Sequence, residues 1–129
     1  MTVGVLLDTH IALWTRAEPE RLTLGERRII DTATIRYISV ASLWEFSTLI
    51  GLGRIEANER LFDVPGGYDL LSISPAHCRA LATLPRHHRD PFDRMLVAQA
   101  LTEGVPLLTR DRLLAAYGGQ AAILRYPDA

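Results

Sequence analysis

The chain has 129 residues, of which 48% are hydrophobic and 22% are charged, and its formal net charge is −1. This composition excludes an intrinsically disordered chain, and the small net charge excludes a nucleic-acid binder that depends on bulk positive charge. The length suits one domain with one core, so we expect a single domain over residues 1–129.

The cysteine and lysine content limits the chemistry further. Cys78 is the single cysteine and cannot form an intrachain disulfide, so we expect it in the core of a protein from a reducing compartment. All 14 cations are arginines, which excludes any mechanism that needs a lysine. No apolar run approaches the roughly 20 residues of a membrane span. We therefore expect a cytoplasmic protein.

Short apolar runs alternate with helical patterns along the chain, which is typical of an α/β fold with a mostly parallel sheet. Strands are predicted near residues 3–7, 36–40, 70–74, 105–109 and 122–125. Helices are predicted over residues 25–34, 41–52, 75–83 and 91–103. The last helix is the clearest, because Asp90 supplies an N-cap, Pro91 a first-turn proline and Gly104 a stop. Residues 59–67 are predicted to be an irregular connection.

Four acidic residues lie where an apolar run ends or a helix begins: Asp8, Glu45, Asp93 and Asp111. Ligands of open α/β sheets bind outside the carboxyl ends of the strands, so we expect these acids to converge. Converging carboxylates repel each other unless a hard cation such as Mg²⁺ or Mn²⁺ neutralises them. The sequence therefore predicts a metal-dependent hydrolase.

Each of these acids also has a purely structural interpretation. Asp8 or Thr9 can cap the helix after the first strand, and Asp111 can cap the segment that follows it. Ser42 and Glu45 match the Ser-x-x-Glu capping box of a helix start. A single acid of this kind is not specific, whereas four at equivalent positions favour a site.

Asp90 and Asp93 compete for one role at the start of the last helix. Asp90 precedes a proline, so we expect it to be the N-cap and to be structural. Asp93 then falls at the third helical position, with its side chain directed toward the sheet edge, and we expect it to be the ligand. His10 is expected to be a surface or loop residue.

Four segments of the chain together resemble the PIN-domain ribonucleases, and most closely the VapC-type toxins of bacterial toxin–antitoxin pairs. They comprise residues 6–10, 39–45, 88–100 and 107–111. The resemblance covers nearly the whole chain, and segment 88–100 is the most specific because of its length. It implies a PIN-like three-layer α/β/α sandwich, with a five-stranded parallel sheet in the order 3-2-1-4-5, and a homodimer.

The resemblance also implies a metal-dependent endoribonuclease that is the toxin of a toxin–antitoxin pair. Asp8, Glu45, Asp93 and Asp111 would be its acidic quartet, with Asp8 and Asp93 as the principal ligands of Mg²⁺ or Mn²⁺. RNA would be the substrate, and a cognate antitoxin protein would cover the site. Six further side chains are expected to support the carboxylates or to contact the substrate: Thr9, Ser42, Thr109, Asp90, Arg89 and Arg94.

The densest basic stretch of the chain borders the start of the last helix. It contains Arg79, Arg86, His87, His88, Arg89 and Arg94. We expect a rim that guides phosphates, because arginine makes bidentate phosphate contacts, and the alternative is a solvated loop and helix surface. The two histidines have no other nitrogen or sulfur ligands nearby in sequence, so a zinc site is not expected.

Two other classes of function fit parts of the pattern. Receiver and dehalogenase-like phosphotransfer domains use an aspartate at the end of the first strand, but both need a lysine. A non-catalytic PIN-like module that binds RNA or protein remains the main alternative, although binding alone needs no cluster of repelling acids. Trp14, Trp44 and Phe46 are candidates for a dimer surface, with core burial as the alternative for each.

Overall fold

The computed structural model describes residues 4–127, and their strands form one parallel sheet in the order β3-β2-β1-β4-β5. The strands are β1 Gly4–Leu7, β2 Ile35–Ser39, β3 Asp69–Leu71, β4 Leu107–Leu108 and β5 Ile123–Leu124. The central strand β1 pairs with β2 on one side and with β4 on the other. The predicted strand order is confirmed, and the first residue of the predicted strand 3–7 lies outside the described residues.

Three strands are shorter than predicted, and neighbouring features explain two of the differences. Strand β5 spans Ile123–Leu124 instead of residues 122–125. Strand β4 contains two residues and begins after Pro106, which has no N–H to donate to a ladder. Strand β3 ends at Leu71, before residues 72–74. The backbone N–H of Ser74 donates instead to His77 Nδ1, as part of a capping box that starts the next helix.

Five α-helices connect the strands. They are α1 Thr9–Ala17, α2 Leu24–Thr32, α3 Val40–Gly51, α4 Pro75–Thr83 and α5 Pro91–Glu103. Helices α4 and α5 have the predicted bounds, and Gly104 ends α5 in the left-handed conformation with a φ of 68°. Residues 4–127 also contain three 3₁₀ helices, and one of them, Glu59–Phe62, lies within the connection predicted to be irregular.

Helices cover both faces of the sheet, as the alternation of buried residues along β1 shows. Val5 and Leu7 belong to one hydrophobic cluster, which includes Trp14 of α1 and Phe46 of α3. Leu6 belongs to a second cluster, which includes residues of α5 and of the 3₁₀ helix Arg112–Gly119. Successive residues of a strand point to opposite faces, so the two clusters are the two cores of a three-layer sandwich.

The burial of Cys78 differs from its prediction, and the burial of Trp14, Phe46 and Trp44 decides between the two positions expected for each. Cys78 was predicted to be in the core but is exposed, because α4 buries the neighbouring His77. The imidazole of His77 contacts Glu103 of α5 at 2.9 Å, so the adjacent Cys78 faces outward. Trp14 and Phe46 are buried, whereas Trp44 is 61% exposed. No helix among residues 4–127 is long and apolar enough to cross a membrane.

Leu96→Ala should lower the free energy of unfolding by about 2–5 kcal/mol, because Leu96 is fully buried and its truncation leaves a cavity. Leu101→Ala on the same helix is the matched control, since Leu101 is 40% exposed. Urea denaturation monitored by circular dichroism measures both changes. Equal losses in the two variants would contradict the burial of this face of α5.

Candidate active site

Asp8 occupies the junction of β1 with α1 and is held there by two hydrogen bonds. Its Oδ1 accepts the backbone N–H of Thr9 at 2.8 Å, and its Oδ2 accepts the hydroxyl of Thr109 at 2.7 Å. Thr109 follows β4, the strand next to β1, and its hydroxyl also accepts the N–H of Asp111 at 3.0 Å. The ends of two adjacent strands are thus connected through one buried hydroxyl.

The start of α5 places Asp93 beside this junction. Asp90 is the N-cap, as predicted, and its Oδ1 accepts the N–H groups of Phe92 and Asp93 at 2.8 and 3.2 Å. Asp93 is the third residue of the helix, also as predicted. Asp90 holds the backbone N–H of Asp93, and the side chain of Asp93 lines the cavity described below.

The capping box that was the structural alternative for Glu45 is not formed. Helix α3 begins earlier, at Val40, because Ser39 at the end of β2 is its N-cap and accepts the N–H of Ala41. Glu45 therefore lies in the second turn, and its Oε1 is buried without a hydrogen-bond partner among the described residues. The hydroxyl of Ser42 instead shares a hydrogen bond of 2.9 Å with that of Thr9, which joins α3 to α1 below the site.

Asp111 completes the group and has a partner that the sequence analysis did not assign to the site. Asp111 caps the 3₁₀ helix Arg112–Gly119, with Oδ1 accepting the N–H of Leu113. Its Oδ2 lies 3.0 Å from Nε2 of His88, and Asp93 Oδ2 lies 3.4 Å from the same nitrogen. These three side chains are close enough to share one small ion. Sequence spacing gave no sign of this contact, because 23 residues separate His88 from Asp111.

The four predicted acids line one small cavity. Its volume is about 280 Å³, and its lining consists of Asp8, Glu45, Asp93, Asp111, Asp90, His10, Trp14 and Arg110. A larger groove of about 630 Å³ shares His10 and Trp14 with this cavity but is lined by none of the four acids. The four acids therefore meet in the smaller cavity, and the groove adjoins it.

Burial and mutual repulsion make three of these carboxyl groups, those of Asp8, Glu45 and Asp93, hard to ionise. Burial, followed by the negative charge of Asp8, raises the pKa of Asp93 to about 9. Burial also raises the pKa values of Asp8 and Glu45. A divalent cation would reverse these shifts, and the unpartnered oxygen of Glu45 offers it a ligand. The donor set is carboxylate oxygen, which Mg²⁺ and Mn²⁺ favour, so the residues present fit such an ion.

Of the arginines predicted to form a cationic rim, Arg89 and Arg94 differ in exposure and in hydrogen bonding. Arg89 is exposed, whereas Arg94 donates from Nη2 to the carbonyl of Leu84 at 3.1 Å and is half-buried. The arginine that lines the cavity is Arg110, which was not predicted. Its Nε donates to Oε2 of the buried Glu26 at 3.0 Å, its Nη2 contacts Oε1, and its guanidinium lies 4.4 Å from the Trp14 ring centroid.

Comparison with known proteins agrees with this geometry. The sequence model of the PIN domain matches residues 5–120. The chain belongs to the PIN-domain family. Ribonuclease VapC22 of Mycobacterium tuberculosis is 30% identical over 118 residues, which cover 88% of this chain and 91% of the relative.

Solved structures of PIN-domain relatives share the fold. VapBC2 of Rickettsia felis, bound to a DNA fragment from its promoter, superposes with a TM-score of 0.71 at 14% identity, over 95% of this chain and 98% of the other. DNA-bound VapBC of Salmonella typhimurium gives 0.68 at 22% identity, over 96% and 98%. At these identities the likeness supports the three-layer fold alone.

In the metal-free protein, Asp93→Asn should weaken the dependence of stability on pH. Between the unfolded pKa of 3.8 and the folded value of about 9, the folded protein keeps a proton that the unfolded chain has released. The free energy of unfolding of the unsubstituted protein therefore falls as pH rises through this window. In the variant, the slope of this free energy against pH is smaller by the contribution of about one proton. Urea unfolding in EDTA at about pH 5, 7 and 9 tests it. Asp63→Asn, at an exposed site, is the control, and equal slopes in all three proteins would contradict the prediction.

Proposed function

We propose that this protein is a metal-dependent endoribonuclease and the toxin of a toxin–antitoxin pair. The observation that carries the proposal is the set of four carboxylates gathered in one cavity, with a buried Glu45 oxygen that has no hydrogen-bond partner among residues 4–127. Such a cluster is costly in a folded protein unless a cation binds it. The relative VapC22, which is called a ribonuclease, supports RNA as the substrate.

In this proposal Asp8 and Asp93 hold a Mg²⁺ or Mn²⁺ ion, and Glu45 and Asp111 orient water for hydrolysis. When bound, the ion supplies positive charge that stabilises the phosphoryl oxygens of the RNA backbone. Thr109 fixes the Asp8 carboxylate through its 2.7 Å hydrogen bond, and Asp90 fixes the helix start that carries Asp93. Thr9 and Ser42 hold α1 and α3 together beneath the site.

Arg110 is proposed to contact an RNA phosphate at the cavity. Two of its guanidinium nitrogens are engaged by Glu26, which fixes the orientation of the planar group, and the side chain remains 30% exposed. Arginine held in this way is preorganised for phosphate, because little side-chain entropy is lost on binding. Arg89 is exposed at the same end of α5 and is proposed to extend this contact along the strand.

The partners of the chain are also proposals. The Rickettsia and Salmonella structures are VapBC complexes, which supports a cognate antitoxin as the partner. The groove that adjoins the cavity is a suitable place for such a protein, since it begins at His10 and Trp14. A homodimer is proposed as well, and the exposed Trp44, in edge contact with Phe92, is a candidate for its surface. Its setting is proposed to be cytoplasmic.

Purified protein should cut labelled RNA with Mg²⁺ or Mn²⁺ and lose this activity in EDTA. Asp93→Asn should reduce the rate by about 100-fold or more, because a principal ligand of the ion is lost. Asp63→Asn, at an exposed position outside the cavity, should keep the full rate. Discrete fragments on a sequencing gel measure the outcome. RNA binding that is unaffected by metal, without any cleavage, would favour the non-catalytic module.

Removing the Arg110 charge should weaken RNA binding by a defined electrostatic amount. In an Asp93→Asn background, Arg110→Gln combined with Glu26→Gln removes the guanidinium without leaving a buried unpaired carboxylate. The slope of log affinity against log salt should become shallower by about 0.7, the value for one phosphate contact on a single strand.

Arg28→Gln is the matched control for this measurement, since Arg28 is an exposed arginine on α2 that does not line the cavity. It should leave the salt slope unchanged. Fluorescence anisotropy with a labelled oligoribonucleotide at several salt concentrations measures both variants. Equal slopes for the Arg110 and Arg28 variants would remove Arg110 from the RNA contact.

A further inference from the structure

We infer that His88 is a positioning residue that takes the place of a second cation, so that the site binds one divalent ion. Its imidazole contacts Asp111 through Nε2 and lies beside Asp93, so it occupies the space between two carboxylates that would otherwise be available to a second ion. The inference deepens the proposed function and rests on its metal dependence.

The hydrogen bonds of the ring determine where its proton lies. The backbone N–H of Asp90 donates to His88 Nδ1 at 3.0 Å, so the lone pair of Nδ1 is already used. A neutral imidazole whose Nδ1 accepts must carry its proton on Nε2. Nε2 is therefore a donor toward Asp111 Oδ2 at 3.0 Å, with Asp93 Oδ2 as a second acceptor at 3.4 Å.

This tautomer excludes His88 as a metal ligand in the same geometry. Coordination through Nε2 needs its lone pair, which moves the proton to Nδ1. Two N–H groups, those of Nδ1 and of the Asp90 backbone, would then face each other at 3.0 Å. The spacing of His88, Asp93 and Asp111 is that of a possible ion site, but the direction of the hydrogen bonds identifies His88 as a donor.

The backbone of His88 is held rigidly, so the ring cannot easily leave this position. The hydroxyl of the fully buried Tyr117 accepts the N–H groups of both His87 and His88 at 3.1 Å. The same hydroxyl donates to the carbonyl of Pro85 at 2.7 Å. Backbone and ring are thus fixed from three directions, and the side chain of His88 is only 11% exposed.

The two halves of the cavity consequently differ in what they offer a cation. On one side, Glu45 Oε1 is buried and unpartnered. On the other side, Asp111 Oδ1 accepts a backbone N–H of the 3₁₀ helix and Oδ2 accepts His88. In a two-ion mechanism the ions lie about 3.5–4 Å apart and share carboxylates. Here a proton donor already occupies the space between Asp93 and Asp111, so the single ion belongs on the other side of Asp93, toward Asp8 and Glu45.

The test is the number of Mn²⁺ ions that the full-length protein binds without RNA, measured by isothermal titration calorimetry and by the signal of unbound Mn²⁺ in electron paramagnetic resonance. The unsubstituted protein should bind one ion. His88→Ala should bind two, because Asp93 and Asp111 then face each other without a donor. His88→Gln, whose amide keeps a donor at the end of the side chain, should return the number to one. His87→Ala, at the exposed neighbouring position, is the control and should bind one.

A second measurement uses a spectroscopic signature of the ion. With ¹⁵N-labelled histidine, the Mn²⁺-bound protein should show no hyperfine coupling from the imidazole nitrogen of His88, and His88→Gln distinguishes a coupling of His88 from one of His10, which lines the cavity. A coupling that His88→Gln removes, or two ions in the unsubstituted protein, or one ion in a folded His88→Ala variant, would overturn the inference and leave the proposed nuclease intact. Failure of the unsubstituted protein to bind Mn²⁺ at all would overturn both.

Discussion

The repulsion between buried carboxylates is the constraint on which the site depends. Asp8 lies at the end of β1 and Asp111 lies just beyond β4, because parallel strands bring their carboxyl ends to one edge of the sheet. Asp93 and Glu45 reach the same cavity from α5 and α3. Burial and shared negative charge raise the pKa of Asp93 to about 9, so the folded chain holds a proton where a cation would fit. The burial of these carboxylates lowers the stability of the folded protein, and the two apolar cores on either side of the sheet offset this loss.

The same aspartates cap helices and line the cavity. Asp8, Asp90 and Asp111 each accept a backbone N–H at a helix start, and these bonds hold the carboxylates in fixed orientations. An interpretation of each aspartate as either a cap or a ligand is therefore too narrow. One oxygen can accept a backbone N–H while the other contacts a side chain of the site, as Asp111 shows with Leu113 and His88.

Local signals in the sequence predicted most of the fold and the members of the acidic group. The apolar run before Asp8 and the Asp90-Pro91 start of α5 are encoded by residues that are adjacent in the chain. The strand end and the helix start that they predicted are therefore confirmed. The capping box that Ser42 and Glu45 match is not formed, because Ser39 and Ser42 are both suitable caps and only the end of β2 decides between them. His88 and Arg110 were not assigned to the cavity, because their partners Asp111 and Glu26 are 23 and 84 residues away and no periodicity encodes such contacts. Cys78 was misplaced because the packing of α4 on α5 selects His77 as the buried residue.

The ionisation of Asp93 with and without a divalent ion tests the central claim most directly. Carbon-13 NMR of a labelled aspartate carboxyl group, assigned with Asp93→Asn, follows it across pH. We expect the pKa of Asp93 to be about 9 in EDTA and to fall below neutrality with saturating Mg²⁺. A carboxyl group that still titrates near 9 with Mg²⁺ present, or that is already ionised at neutral pH in EDTA, would contradict the account of a cation site built from repelling acids.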